Sequence, residues 1–234
     1  MLKDRLKTML LGGAQSPASP LHHQRGASNG FRPAANGEGS SHSRPSNGLE
    51  QFFGAIRDMQ GLDILDFAEA NQSNVSYITS LTHRIYSEDF LRSLDTAFGG
   101  PGDVYSNQAD PNRSDSFVGQ MFDFPENHFD GALVWDSLQY LAPPLLQVTV
   151  ERLARAMRPG AYMFALFHAD EKAQSVPVYS YRISDARTLL LSPRGTRKPA
   201  QFFNNRGLEK LFQGFQSVKF FLTRDSLREV IVRR

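Results

Sequence analysis

The sequence predicts an α/β fold: a doubly wound, mostly parallel seven-stranded sheet that ends in an antiparallel hairpin. Three observations lead there. Residues 62–68 (LDILDFA), 129–135 (FDGALVW) and 161–167 (AYMFALF) are apolar runs of strand length, as expected of strands covered on both faces of a parallel sheet. Segments with apolar residues at helical spacing lie between them, so strands and helices alternate. Finally, 218–223 and 227–233 flank a polar Arg224-Asp225-Ser226 turn, the pattern of two antiparallel strands.

Taken in order, the chain opens with MLKDRLKTMLL, where Leu2, Leu6, Met9 and Leu10 share one helical face. Residues 12–47 are dominated by Gly, Ser, Pro, Ala and Asn, with Leu21 and Phe31 as their only large apolar side chains. Such a segment buries too little surface to offset the entropy of ordering it. The expected organisation is therefore a short N-terminal helix plus disordered linker over 1–47, then one domain over 48–234. In that domain Phe52, Phe53 and Ile56 mark a helix over 49–59, and Val75, Ile78 and Leu81 mark another over 71–82. Arg84–Tyr86 begins a short strand. Three glycines and two prolines make 99–116 a loop, and Phe117–Phe122 reads as a strand. Residues 144–157 form a helix closed by Pro159-Gly160. Residues 178–183 and 188–191 flank a second small hairpin.

Composition narrows the chemistry. The absence of cysteine excludes disulfides, thiolate metal sites and a cysteine nucleophile. No run approaches the roughly 18 apolar residues of a membrane span, so a soluble, cytoplasmic protein is expected. Residues 1–47 hold six basic and two acidic side chains, and the remaining 187 hold 20 and 22. The folded part thus lacks the basic excess of a nucleic-acid binder. One local exception is 178–198, where Arg182, Arg187, Arg194, Arg197 and Lys198 face a single Asp, a composition suited to an acidic or phosphorylated partner.

Two stretches carry a family resemblance. DFPENHFDGALVWD (123–136), followed by SLQYL, resembles the fourth-strand block of class I S-adenosylmethionine-dependent methyltransferases. ARAMRPGAYMFALF (154–167) resembles their helix-Pro-Gly-strand block, and 212–234 their terminal helix end and hairpin. The resemblance spans roughly 48–234 and implies a Rossmann-like methyltransferase fold with S-adenosylmethionine as cofactor. It departs at the loop after the first strand. Asp66-Phe67-Ala68-Glu69-Ala70-Asn71-Gln72 stands where the family has Asp-x-Gly-x-Gly-x-Gly, glycines that let backbone approach the cofactor.

The resemblance implies roles for particular residues. Asp66 would hold the cofactor's amino group or order the loop, with Ala68, Ala70 and Gln72 at the three glycine positions. Glu88, or its neighbour Asp89, would accept hydrogen bonds from the ribose hydroxyls. Asp123 would meet the adenine amino group, and Phe124 would stack on the base. Past the fourth and fifth strands, Asp136, Tyr140 and His168 are the candidates to orient an acceptor or take its proton. Methyl transfer asks mainly for in-line positioning, so the sequence does not name the acceptor, a small molecule or a protein. Two functional readings follow: a methyltransferase, or a catalytically inactive methyltransferase-like binding or assembly protein whose N-terminal segment docks a partner.

Overall fold

The structure is a computed structural model that describes residues 40–99, 104–223 and 226–234. The expected N-terminal helix and most of its linker lie outside the described residues. The ordered chain reaches further back than residue 48, however. Strand β1 (His42–Pro45) pairs antiparallel with a later strand, and Ser46 then caps α1 (Asn47–Ile56) by accepting the Leu49 N–H. Polar composition concealed this strand, because it is held by pairing with β7 and by a partner for Arg44 that lies far along the chain.

Strand β2 (Asp63–Asp66) is followed by α2 (Gln72–Ser80), capped by Asn71, then by β3 (Arg84–Ser87) and α3 (Phe90–Phe98), capped by Asp89. Helices α4 (Val104–Asn107) and α5 (Pro111–Met121) come next. These two correct the expectation of a loop over 99–116 and a strand over 117–122. Asp110 caps α5 through the Asn112 N–H, and Pro111 opens it, a pairing of cap and first-turn proline favourable to helix initiation. Phe117, Val118 and Met121 then form a buried helical face. Beyond lie β4 (Phe129–Trp135), a 3-10 turn over Ser137–Tyr140, α6 (Pro143–Ala156) and β5 (Met157–His168). The chain ends with β6 (Val176–Asp185), β7 (Thr188–Arg197), α7 (Asn205–Leu211), β8 (Ser217–Leu222) and β9 (Leu227–Arg233).

The main sheet has the order β3-β2-β4-β5-β9-β8. Its first three pairings are parallel, and the β5-β9 and β9-β8 pairings antiparallel. Connections run outward in both directions from the central β2-β4 pair, so this is the expected doubly wound, mostly parallel sheet with an antiparallel end. It has six strands rather than seven, since the segment expected as the extra strand is the end of α5. Packing of α1 on the sheet is close: a Cβ on Gly131 of β4 would lie 2.8 Å from the Phe52 ring. A second sheet, β1-β7-β6, is an addition to that plan. Among the described residues no helix is long and apolar enough to cross a membrane.

Candidate functional site

In a doubly wound sheet, the crevice outside the carboxyl ends of the strands opens where the connections diverge. That point lies between β2 and β4, and a cavity of about 500 Å³ occupies it. Phe67, Ala68 and Glu69 after β2 form one wall, and Trp135, Asp136 and Ser137 at the end of β4 another. The first turns of α3 supply Asp89, Arg92, Asp95 and Thr96, while Tyr179, Tyr181, Arg194 and Arg197 of the β6-β7 hairpin form the roof.

The floor is built around Asp66, which is fully buried. Its Oδ1 accepts the Trp135 Nε1–H at 2.6 Å and the Ala68 N–H at 3.0 Å, and its Oδ2 accepts from Asn74 Nδ2 at 3.2 Å. Burial pushes its pKa up to about 6 in spite of these donors. Asp66 therefore orders the loop and fixes the Trp135 indole. Trp135 itself has φ of 53°, an uncommon conformation for a bulky residue. Its ring stacks on Tyr181 with centroids 5.0 Å apart and planes within 5°.

Asn74 explains how the roof is held. It is the buried polar residue of α2; its amide donates to the Tyr181 carbonyl at 3.2 Å and accepts the Ile183 N–H at 2.8 Å. Nearer the mouth, Arg194 pairs with Glu69 at 2.7 Å, and Arg197 forms a two-bonded pair with Asp95 at 2.8 and 3.2 Å. Two of the basic residues expected to meet an acidic partner are thus engaged within the chain.

Asp136 lies at the inner end of the cavity, 2% exposed. Tyr140 donates its hydroxyl to Oδ2 at 3.0 Å, and Gln139 Nε2 lies 3.5 Å from the same oxygen. Burial pushes the Asp136 pKa up to about 6, opposed first by the Tyr140 hydrogen bond. The Tyr140 and Tyr181 hydroxyls are both raised well above the usual tyrosine range by burial, with the Asp136 charge adding to it.

Of the expected site residues, Ala68 and Asp136 line this cavity, and Asp66 and Tyr140 touch groups that line it. Asp89 lines it where Glu88 was the first choice; Glu88 borders a neighbouring cavity, between α3 and α5. Ala70 is exposed, and the exposed Gln72 amide donates to Ser76 of its own helix at 2.8 Å, leaving the cavity clear of that side chain. His168 is buried at the end of β5; its backbone N–H donates to Gln139 Oε1 at 3.1 Å, one link from Asp136. Asp123 is exposed and Phe124 packs edge-on against Phe129 at the start of β4. They therefore sit at the opposite end of that strand from the cavity. Tyr181, Asn74 and Asp95 were not among the expected residues, and Arg197 was expected only as part of a basic segment. Alternation of Tyr179 and Tyr181 along a strand was the one available signal for the roof.

No family profile matches the sequence, and no curated protein matches it. Solved structures resemble its architecture. A Burkholderia thailandensis 1,6-didemethyltoxoflavin-N1-methyltransferase, bound to 1,6-didemethyltoxoflavin and S-adenosylhomocysteine, is 14% identical with a TM-score of 0.44, over 80% of this chain and 76% of its own. A Methanosarcina mazei S-adenosylmethionine-dependent methyltransferase is 17% identical (TM-score 0.42; 76% and 94% covered). One from Aquifex aeolicus is 10% identical (0.38; 79% and 88%). The likeness is one of architecture.

Proposed function

We propose that this chain is an S-adenosylmethionine-dependent methyltransferase whose cofactor lies in the cavity between β2 and β4. The observation that carries the reading is the cavity itself, at the divergence point of the sheet, with a volume within the range of small-molecule sites. Its lining suits the cofactor's parts. Asp89 offers a carboxylate to vicinal hydroxyls, arginines face an α-carboxylate, and aromatic rings with Asp136 face a positive charge. Alanine at position 68 adds a single methyl to the wall, and Gln72 points elsewhere.

The cofactor supplies a methyl group on a sulfonium, already a strong electrophile. What remains for the chain is to bind, to orient and to manage a proton. The hairpin roof excludes water. Asp136, with its pKa near the working range, receives a proton from a hydroxyl or ammonium acceptor. Tyr140 holds that carboxylate in place, and Gln139 ties it to the end of β5.

Calorimetric titration of S-adenosylmethionine and S-adenosylhomocysteine tests the reading. Micromolar binding is expected, weakened about tenfold or more by Asp89→Ala, as for a lost charged hydrogen bond, and little changed by Glu88→Ala. Absence of heat with both ligands, from protein shown to be folded, would overturn it in favour of a non-catalytic binding role.

A further inference from the structure

Asp136 poses an electrostatic problem. A carboxylate this deeply buried needs a cation or a full set of donors, or else is costly to keep charged. Among the described residues no basic side chain forms an ion pair with it. The basic group that approaches the cluster, Arg197, is held by Asp95 and lies over the Tyr140 ring, 5.1 Å from its centroid. Beside Asp136 stands the Trp135–Tyr181 stack, with Tyr179 edge-on to Tyr181 at 6.1 Å. Aromatic faces carry partial negative charge, so carboxylate and rings add to one negative corner. The Tyr181 hydroxyl there is buried and lies within reach of the Asp136 carboxylate, whose charge holds its proton on. The arginines of the cavity lie towards α3 and β7.

We infer that the Asp136–Trp135–Tyr181 corner is a cation-reading site that takes the sulfonium centre, so that the protein distinguishes S-adenosylmethionine from its neutral product by charge. This rests on the cofactor reading given above and names the residues that would set its specificity. Asp136 supplies the charge, and Tyr181, carried by the added hairpin rather than by the central sheet, supplies the ring.

The test is a set of binding titrations at pH 7.5 with three probes. These are S-adenosylmethionine, the neutral thioether S-adenosylhomocysteine, and sinefungin, which carries an ammonium in place of the sulfonium. The two cationic probes are expected to bind about tenfold more tightly than the neutral one, the scale of a desolvated cation–π contact. Asp136→Asn should bring the three affinities together by weakening the two cationic probes about tenfold, with a cooperative melting curve showing that the variant is folded. Tyr181→Phe should keep most of the preference and Tyr181→Leu should reduce it. Equal affinities for the three probes in the unaltered protein would overturn the inference and leave the cofactor reading standing. Failure of all three to bind would overturn both.

Discussion

A single buried carboxylate carries both the proposed chemistry and a stability cost. Asp136 has a pKa of about 6 in the folded protein against 3.8 for the ordinary group, so the folded state holds more protons than the unfolded chain between those values. Stability contributed by its protonated form is full below pH 4 and is lost as pH rises towards and past 6. The shift corresponds to about 3 kcal/mol. Asp136→Asn is therefore expected to be more stable than the parent by about 2–3 kcal/mol at pH 7.5, and nearly equal at pH 4. Urea denaturation at the two pH values measures this. The neighbouring tyrosines, Tyr140 and Tyr181, are raised well above the usual tyrosine range and stay protonated throughout, so the difference belongs to Asp136. Its place at the cavity was legible in the sequence as an acid following an apolar strand. The role of Asp66 was legible only as a choice between ligand and loop, because the Trp135 and Asn74 donors come from elements 69 and 8 residues away. Asp123 was misplaced for a related reason: a motif gives order along a chain, whereas the end of the sheet is decided by where the strand starts.

At the scale of elements, the apolar strands and the 3.6-residue periodicity of α1, α2 and α6 gave their own positions away. Helix α5 did not, since its polar composition resembles a loop and its signal is the Asp110-Pro111 start. Register between α1 and β4 depends on the missing side chain at Gly131. Gly131→Ala would place a Cβ against Phe52 and 3.2 Å from Ile64 Cδ1, and a loss of about 1–3 kcal/mol is expected in chemical denaturation. Helix α2 and the hairpin share a different kind of joint. Asn74→Ala removes partners from Asp66, Tyr181 and Ile183 at once. Amide hydrogen exchange over residues 176–185 should accelerate at least tenfold, with β4 and β5 much less affected, because the hairpin can open locally. Uniform acceleration across both sheets would contradict a roof held separately from the main sheet.

Across the whole molecule, the added three-stranded sheet is joined to the main one by a buried ion pair. Arg44 of β1 donates to Glu229 of β9 at 2.5 Å, and the other Glu229 oxygen accepts the Gly48 N–H at 2.6 Å. Removing residues 1–47 would take away β1, the Ser46 cap and the arginine together, leaving Glu229 buried without its cation. Compared with a truncation that stops at residue 40, that protein is expected to melt about 6–12 °C lower, on the basis of about 3 kcal/mol for a broken buried pair. Differential scanning fluorimetry of the two truncations decides it.

Arg44 and Glu229 stand 185 positions apart, which gives the fold an order in time. During synthesis β1 and α1 emerge well before β9, the strand that carries their charged partner. The β6-β7 turn meets the same early segment, through the Ser46 N–H on the Arg187 carbonyl at 2.7 Å. A contact of such long range can close only after the intervening chain has been collected. The roof over the cavity is thus finished late, by the clasp between the first strand and the last, and a ribosome-bound chain ending before residue 229 would carry the cavity walls without that fastening.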